Sequence, residues 1–159
     1  MGKTNMKNVF ADLRATYFTL NRASHFPIPS NATEPWGVIM EIAYPQATVT
    51  TVTFADGTVS VLRSSGGGFF GSGDESVQSA GKAFLKQAQL IQPQATLTND
   101  FPAPNVGRIV FYLRTDGGTY TISATENDMK QQNHPLFQFC CAGLRILHEY
   151  LKLQKQVQK

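Results

Sequence analysis

The chain has little charge: 14 basic and 11 acidic residues make up 16% of its 159 positions, and the net charge is +3. The basic residues are also scattered. Arg63, Arg108 and Arg114 fall on expected strands, Lys82 and Lys86 on an expected helix, and Lys152, Lys155 and Lys159 at the tail. A dedicated nucleic-acid binder gathers such charge on one face, so nucleic acid is unsupported as a partner. Histidine is scarce. His25, His134 and His148 are dispersed and share no HxxxH or CxxC spacing, which argues against a zinc site. There is no G-x-S-x-G and no recognisable serine triad. The two cysteines, Cys140 and Cys141, are neighbours in a helical stretch, where side chains diverge by about a quarter turn or more. They cannot form an ordinary disulfide with each other, and free thiols fit a reducing compartment. Long apolar runs are missing too. No window approaches the ~20 apolar residues of a membrane span, and no apolar core follows the N-terminus as a secretory signal requires. Met6 stands where a myristoylation motif needs Ser or Thr. These absences describe a cytoplasmic protein with no metal, cofactor or membrane partner. They favour binding over catalysis.

What the chain does contain suits one globular domain over 1–159. Hydrophobic residues are 42% of the total, enough to bury a core at this length. Met6, Val9, Phe10, Leu13, Tyr17 and Leu20 form a helical stripe, which predicts an N-terminal helix over 5–22. A crossover with three prolines follows over 24–35. Residues 36–44 read as a strand, with Trp36, Val38, Met40, Ile42 and Tyr44 on one face and Gly37, Ile39, Glu41 and Ala43 on the other. Two hairpins turn at Asp56-Gly57 and Asp116-Gly117, one pairing 49–54 with 58–63 and the other 108–114 with 119–124. Between them lies an amphipathic helix from about Glu75 to Gln92, with Val77, Ala80, Phe84, Ala88 and Ile91 as its apolar stripe. Residues 93–107 read as a long loop, long enough to be a lid, a partner contact or slack. The last helix, over 135–153, is apolar around much of its circumference. It carries Leu136, Phe137, Phe139, Cys140, Leu144, Ile146, Leu147, Tyr150 and Leu151, so it predicts cover on more than one side and a homodimer. The fold class is α+β: a five-stranded antiparallel sheet and three helices in the order α-β-β-β-α-β-β-α.

The segment most open to a functional reading is Ser64, Ser65, Gly66, Gly67, Gly68, Phe69, Phe70, Gly71, Ser72 and Gly73. It follows a hairpin, enters the middle helix, and holds five of the 13 glycines. Glycines there permit positive φ and close approach of another group to the main chain. It is not a Walker A loop, because Ser72 and Asp74 stand where the lysine is needed. Gly66, Gly68 and Gly71 spell G-x-G-x-x-G, but after a hairpin rather than within a parallel unit. Asp74 and Glu75 in the first helical turn repel an anion. Two readings stand: a tight passage capped by Ser72 or Asp74, and a ligand or partner site in which Phe69 and Phe70 can anchor a protein. Glu41 is the other candidate, a carboxylate on a strand otherwise apolar on both faces. Such a group must be paired or shifted in pKa. A cross-strand partner such as Arg63, Arg108 or Arg114, or a solvated position on the sheet, is the structural explanation, and a catalytic carboxylate the functional one.

The order of elements resembles the profilin or roadblock type of layered fold, although the roadblock family has two strands before its middle helix and three after, the reverse of the split here. Local signatures Trp36-Gly-Val-Ile-Met-Glu41, Phe54-Ala-Asp-Gly57, Ser64-Ser-Gly-Gly-Gly-Phe-Phe-Gly71 and Gly107-Arg-Ile-Val-Phe-Tyr112 are similar to a group of uncharacterised bacterial proteins. That resemblance implies a bacterial cytosolic protein and no particular activity. The two function classes are an interaction or scaffold domain with an unknown protein partner, and a small-molecule or nucleotide binder using residues 64–76 with Glu41 nearby.

Overall fold

The computed structural model describes residues 6–22, 29, 31–70 and 74–157. Among them the chain is α+β, with helices α1 (Met6–Thr19), α2 (Glu75–Ile91) and α3 (Phe137–Val157). All five expected strands form: β1 (Gly37–Ala43), β2 (Thr48–Phe54), β3 (Val59–Arg63), β6 (Arg108–Thr115) and β7 (Gly118–Thr125). Two three-residue strands, β4 (Gly68–Phe70) and β5 (Thr96–Thr98), were not expected. The sheet therefore has seven strands rather than five, in the order β4-β3-β2-β1-β6-β7-β5, with every pairing antiparallel. The chain order is corrected with it, to four strands before α2 and three after. Three-residue strands show no alternation in sequence, and β4 opens on a glycine, a residue depleted from strands. The expected loop over 93–107 thus contributes an edge strand before it runs free.

Strand alternation sorts the layers. Val38, Met40, Ile42, Val59, Val61, Ile109, Phe111 and Leu113 point to one face and meet α2 and α3. There Phe139 of α3 stacks on Phe111 at 4.3 Å and lies 5.1 Å from Phe84 of α2. Aromatic pairs of this kind add about 0.5–1.5 kcal/mol beyond the area they bury. Ile39, Val52, Phe54 and Tyr112 point to the other face and meet α1 through Phe18, with Tyr17 and Leu20 beside it. Trp36 belongs to this second cluster and stacks on Phe54 at 6.1 Å. The expectation that it shares the face of Val38 is corrected, because Trp36 precedes the strand and its pleat does not constrain it. Tyr44, past the other end, is exposed.

The middle helix begins where Asp74 caps it. The Asp74 carboxylate accepts from the Ser76 amide at 2.9 Å and the Val77 amide at 3.2 Å. Its pKa is held below the usual carboxylate range, first by the Ser76 hydroxyl and then by the Val77 amide. In α3, Phe139, Cys140 and Ile146 are buried, while Leu144 and Leu151, two turns apart on one face, are exposed. Cys140 sits in the core with its thiol pushed up to about 11 by burial, and Cys141 points outward. A thiol-directed alkylating reagent at neutral pH is therefore expected to modify Cys141 quickly and Cys140 only on unfolding. Mass spectrometry of digested protein checks this, and equal native labelling of both would contradict the placement. Among the described residues no helix is long and apolar enough to cross a membrane.

Candidate functional site

The α1 face of the sheet carries both candidates singled out in the sequence. Glu41 stands on β1 with no exposed surface, opposite Thr50 of β2. Its partner is not the cross-strand arginine that the sequence suggested. Arg14 of α1 reaches down and binds the carboxylate through two parallel bonds, Nε to Oε2 at 2.8 Å and Nη2 to Oε1 at 2.7 Å. Thr50 Oγ1 donates to Oε2 at 2.7 Å. Both carboxylate oxygens are thus occupied by charge-assisted or hydroxyl donors, the geometry in which a buried charge is tolerated. The Arg14 pKa is raised: burial works against its charge, and the bonds and charge of Glu41 outweigh that. The Tyr112 hydroxyl, close to the pair, is raised by burial and then by the Glu41 charge. Arg63, Arg108 and Arg114 are engaged elsewhere or lie outside this cluster. Arg114 donates to the carbonyls of Tyr17 and Leu20, which the end of α1 leaves without helical partners, and stacks over Trp36 at 4.8 Å.

The sequence missed Arg14 because it lies on a helix of mixed polarity, and nothing in a one-dimensional pattern says that this helix crosses β1. An unpaired buried carboxylate was the available signal. It demanded a cation without naming one.

On either side of α1 the sheet face opens into a cavity. The first, of about 250 Å3, is a groove between Val9, Phe10 and Leu13 of α1, Leu62 of β3, and the main chain of Gly66–Gly68. The second, of about 500 Å3, lies under residues 99–107 and is lined among others by Asp100, Pro102, Arg108, Val110, Tyr112 and Ser123. Phe101 packs between the second cavity and α1, stacked on Phe18 at 4.4 Å and edge-on to Tyr112.

The glycine segment is not the strand-to-helix loop that its sequence suggested. Residues 64–67 turn β3 back on itself, with the Gly66 amide donating to the Arg63 carbonyl and the Arg63 amide to the Gly67 carbonyl. The chain then continues as edge strand β4 beside β3. Gly66, Gly67 and Gly68 all have positive φ, at 108°, 82° and 157°. The density of glycine in that part is thereby used up by the turn itself. Ser64 lies at the base, its hydroxyl accepting from the Thr48 amide at 2.8 Å. Ser65 is exposed. Phe69 and Phe70 supply backbone to β4, while their side chains, and Gly71, Ser72 and Gly73 entirely, lie outside the described residues. Because Asp74 already holds the first amides of α2, that helix end offers no place to an anion. Gly66–Gly68 line the groove beside α1, whereas Glu41 lies under α1 and lines neither cavity.

Among the described residues no cluster of three or more His, Cys, Asp or Glu side chains is placed to hold a metal ion. No protein-family model, curated protein or solved structure matches the chain.

Proposed function

We propose that this chain is a non-enzymatic interaction domain that recognises another protein on its α1 face, at the groove beside the glycine turn. The observation that carries the reading is a juxtaposition: an apolar groove of about 250 Å3 lies against β4, one of the two edge strands of the sheet. An extended partner segment laid along an open edge gains main-chain hydrogen bonds, and its alternate side chains reach whatever lies above the sheet. Here that is an apolar slot floored by Leu62 and walled by Val9, Phe10 and Leu13. Its size suits one large aliphatic or aromatic anchor. The paired state of Glu41 supports a binding role over catalysis, since both of its oxygens are engaged by structural donors.

The groove predicts a selectable ligand. Screening the full chain against a displayed peptide library should enrich extended sequences that share one bulky apolar residue. Their affinity should fall at least about tenfold on Val9→Arg, a change at the exposed rim that leaves the core untouched. Peptides that bind Val9→Arg as well as the parent protein, or no enrichment at all, would overturn the groove as the site. The same reading includes a homodimer through α3, where Leu144 and Leu151 share one exposed face. Light scattering should show twice the 17.5 kDa chain mass, and Leu151→Lys should return the monomer. A monomer at every concentration removes the dimer and leaves the groove untouched.

A further inference from the structure

We propose that the cavity under residues 99–107 is a second binding site, separate from the groove, and that it takes a small organic carboxylate with an apolar body. At about 500 Å3 it falls within the range that small-molecule sites occupy. Its floor is the part of the sheet that α1 leaves uncovered, where β6 and β7 present Arg108, Val110, Tyr112, Thr121 and Ser123 side by side. Its roof is Pro102, Ala103 and Pro104. The apolar roof with Val110, and one cation in a lining that also holds the carboxylate of Asp100, define the ligand.

The cation is Arg108. One of its guanidinium nitrogens donates to Ser123 Oγ at 2.7 Å. A guanidinium carries five N–H donors in a fixed fork, so most remain for a ligand. Ser123 accepts that bond and keeps its own proton to donate. Arg108 and Ser123 together offer the planar, two-pronged set of donors that a carboxylate fits. The neighbouring charges set the polarity of the site. Arg14 is neutralised by its ion pair with the buried Glu41. The carboxylates that face the cavity region are Asp100, next to Tyr112, and Asp128, whose charge is felt by Arg108. Asp128 does not line the cavity, and its Oδ2 already accepts from the Thr125 amide at 2.9 Å and lies 3.9 Å from His134, whereas Asp100 lines the cavity at the Tyr112 end. Arg108 and Tyr112 are four residues apart on β6, roughly 13 Å along the strand. The anionic end of a ligand therefore belongs at Arg108. The space toward Val110, Pro102 and Pro104 takes a body of about the size of a phenyl ring with a short linker, short of the carboxylate at the far end.

Phenylpropanoate is the probe, titrated into the intact protein by calorimetry and by amide chemical shifts. Saturable binding is expected, with shifts concentrated at Val110, Thr121 and Ser123. The methyl ester of the same acid, which keeps the ring and loses the charge, should bind at least about tenfold more weakly, the value of a charge-assisted hydrogen bond. Acetate and inorganic phosphate, which keep the charge and lose the body, should also be weaker by about that factor. Arg108→Gln should reproduce the ester result; Arg108 is exposed at a strand end, and the ester comparison needs no variant at all. The proposal is overturned by any of four results: no saturable binding at millimolar acid, an ester as tight as the acid, phosphate as tight as phenylpropanoate, or shifts that map to Val9, Leu13 and Leu62. The last of these would place the ligand in the groove.

Discussion

Arg14→Met is expected to destabilise the protein by about 3–5 kcal/mol, because it strands a charge in the core. Glu41 has no contact with solvent in the native fold, and Thr50 alone cannot replace two guanidinium bonds. The reverse change is milder. Arg14 sits at the edge of the cluster with 17% of its side chain exposed, against none for Glu41, so after Glu41→Gln the guanidinium can swing into water. That variant also keeps an amide oxygen for Arg14 and Thr50, and a loss of roughly 1–2 kcal/mol is expected. Removing both charges in Arg14→Met/Glu41→Leu should recover most of the stability, since an ion pair replaced by apolar groups of similar volume is often neutral. Urea denaturation of the four proteins gives the comparison. Equal losses for the two single variants, or a double variant no better than Arg14→Met, would show that the pair does not hold Glu41 as described. The consequence for binding is direct: α1 forms one wall of the groove, and of its described side chains only Phe18 is buried. The ion pair is one of the polar ties between this helix and the sheet, beside the Arg114 bonds to the carbonyls of Tyr17 and Leu20. Variants that weaken it should therefore loosen peptide binding before they unfold the chain.

Elements with a strong period were legible in the sequence. The stripe of Val77, Ala80, Phe84, Ala88 and Ile91 placed α2 to within a residue, because a helix buried on one face must repeat its apolar positions every three or four residues. Asp56-Gly57 and Asp116-Gly117 placed the two hairpins, although in the second the positive φ falls on Gly118, at 132°, and not on Gly117. What escaped was decided by partners distant in sequence. Thr96-Leu97-Thr98 becomes a strand only because Thr119, Tyr120 and Thr121 lie alongside. Gly68 becomes a strand residue only because Leu62 does the same. Trp36 crosses to the α1 face because Phe54 waits there, and its place before a strand rather than in it gave no hint. Of the site, the sequence showed that Glu41 needed an explanation and that residues 64–68 had unusual backbone. It could not show α1 beside the turn, so neither cavity was visible. Arg108 looked like one more scattered cation, and only the pairing of β6 with β7 sets it beside Ser123.

Gly68→Ala is expected to cost about 3 kcal/mol, a fall in midpoint of roughly 6–12 °C for a chain of this size, whereas Gly67→Ala should cost about 1–2 kcal/mol. The two residues are neighbours in one turn and differ in what a methyl group would meet. At Gly68 a Cβ would lie 2.3 Å from the Val61 carbonyl oxygen and 3.3 Å from Leu62 Cα, which are main-chain atoms of β3 and cannot step aside. To admit it, β4 must peel away from β3. The turn would then lose its strand pairing, and Tyr150 its contact with the Gly68 carbonyl. At Gly67 a Cβ would meet only the tip of the Arg63 side chain at 3.2 Å, which can move, so the cost is that of holding alanine at φ 82°. This difference turns one turn into two experiments. Gly68→Ala tests whether the edge strand matters to the fold, and its binding loss should follow its loss of folded protein. Gly67 lines the groove, so Gly67→Val should weaken peptide binding by more than its modest loss of stability accounts for. Thermal midpoint and peptide affinity, measured together on both variants, decide the matter. If Gly67→Val keeps full affinity in its folded fraction, the glycines serve only the turn, and the groove must be recognised through α1 alone.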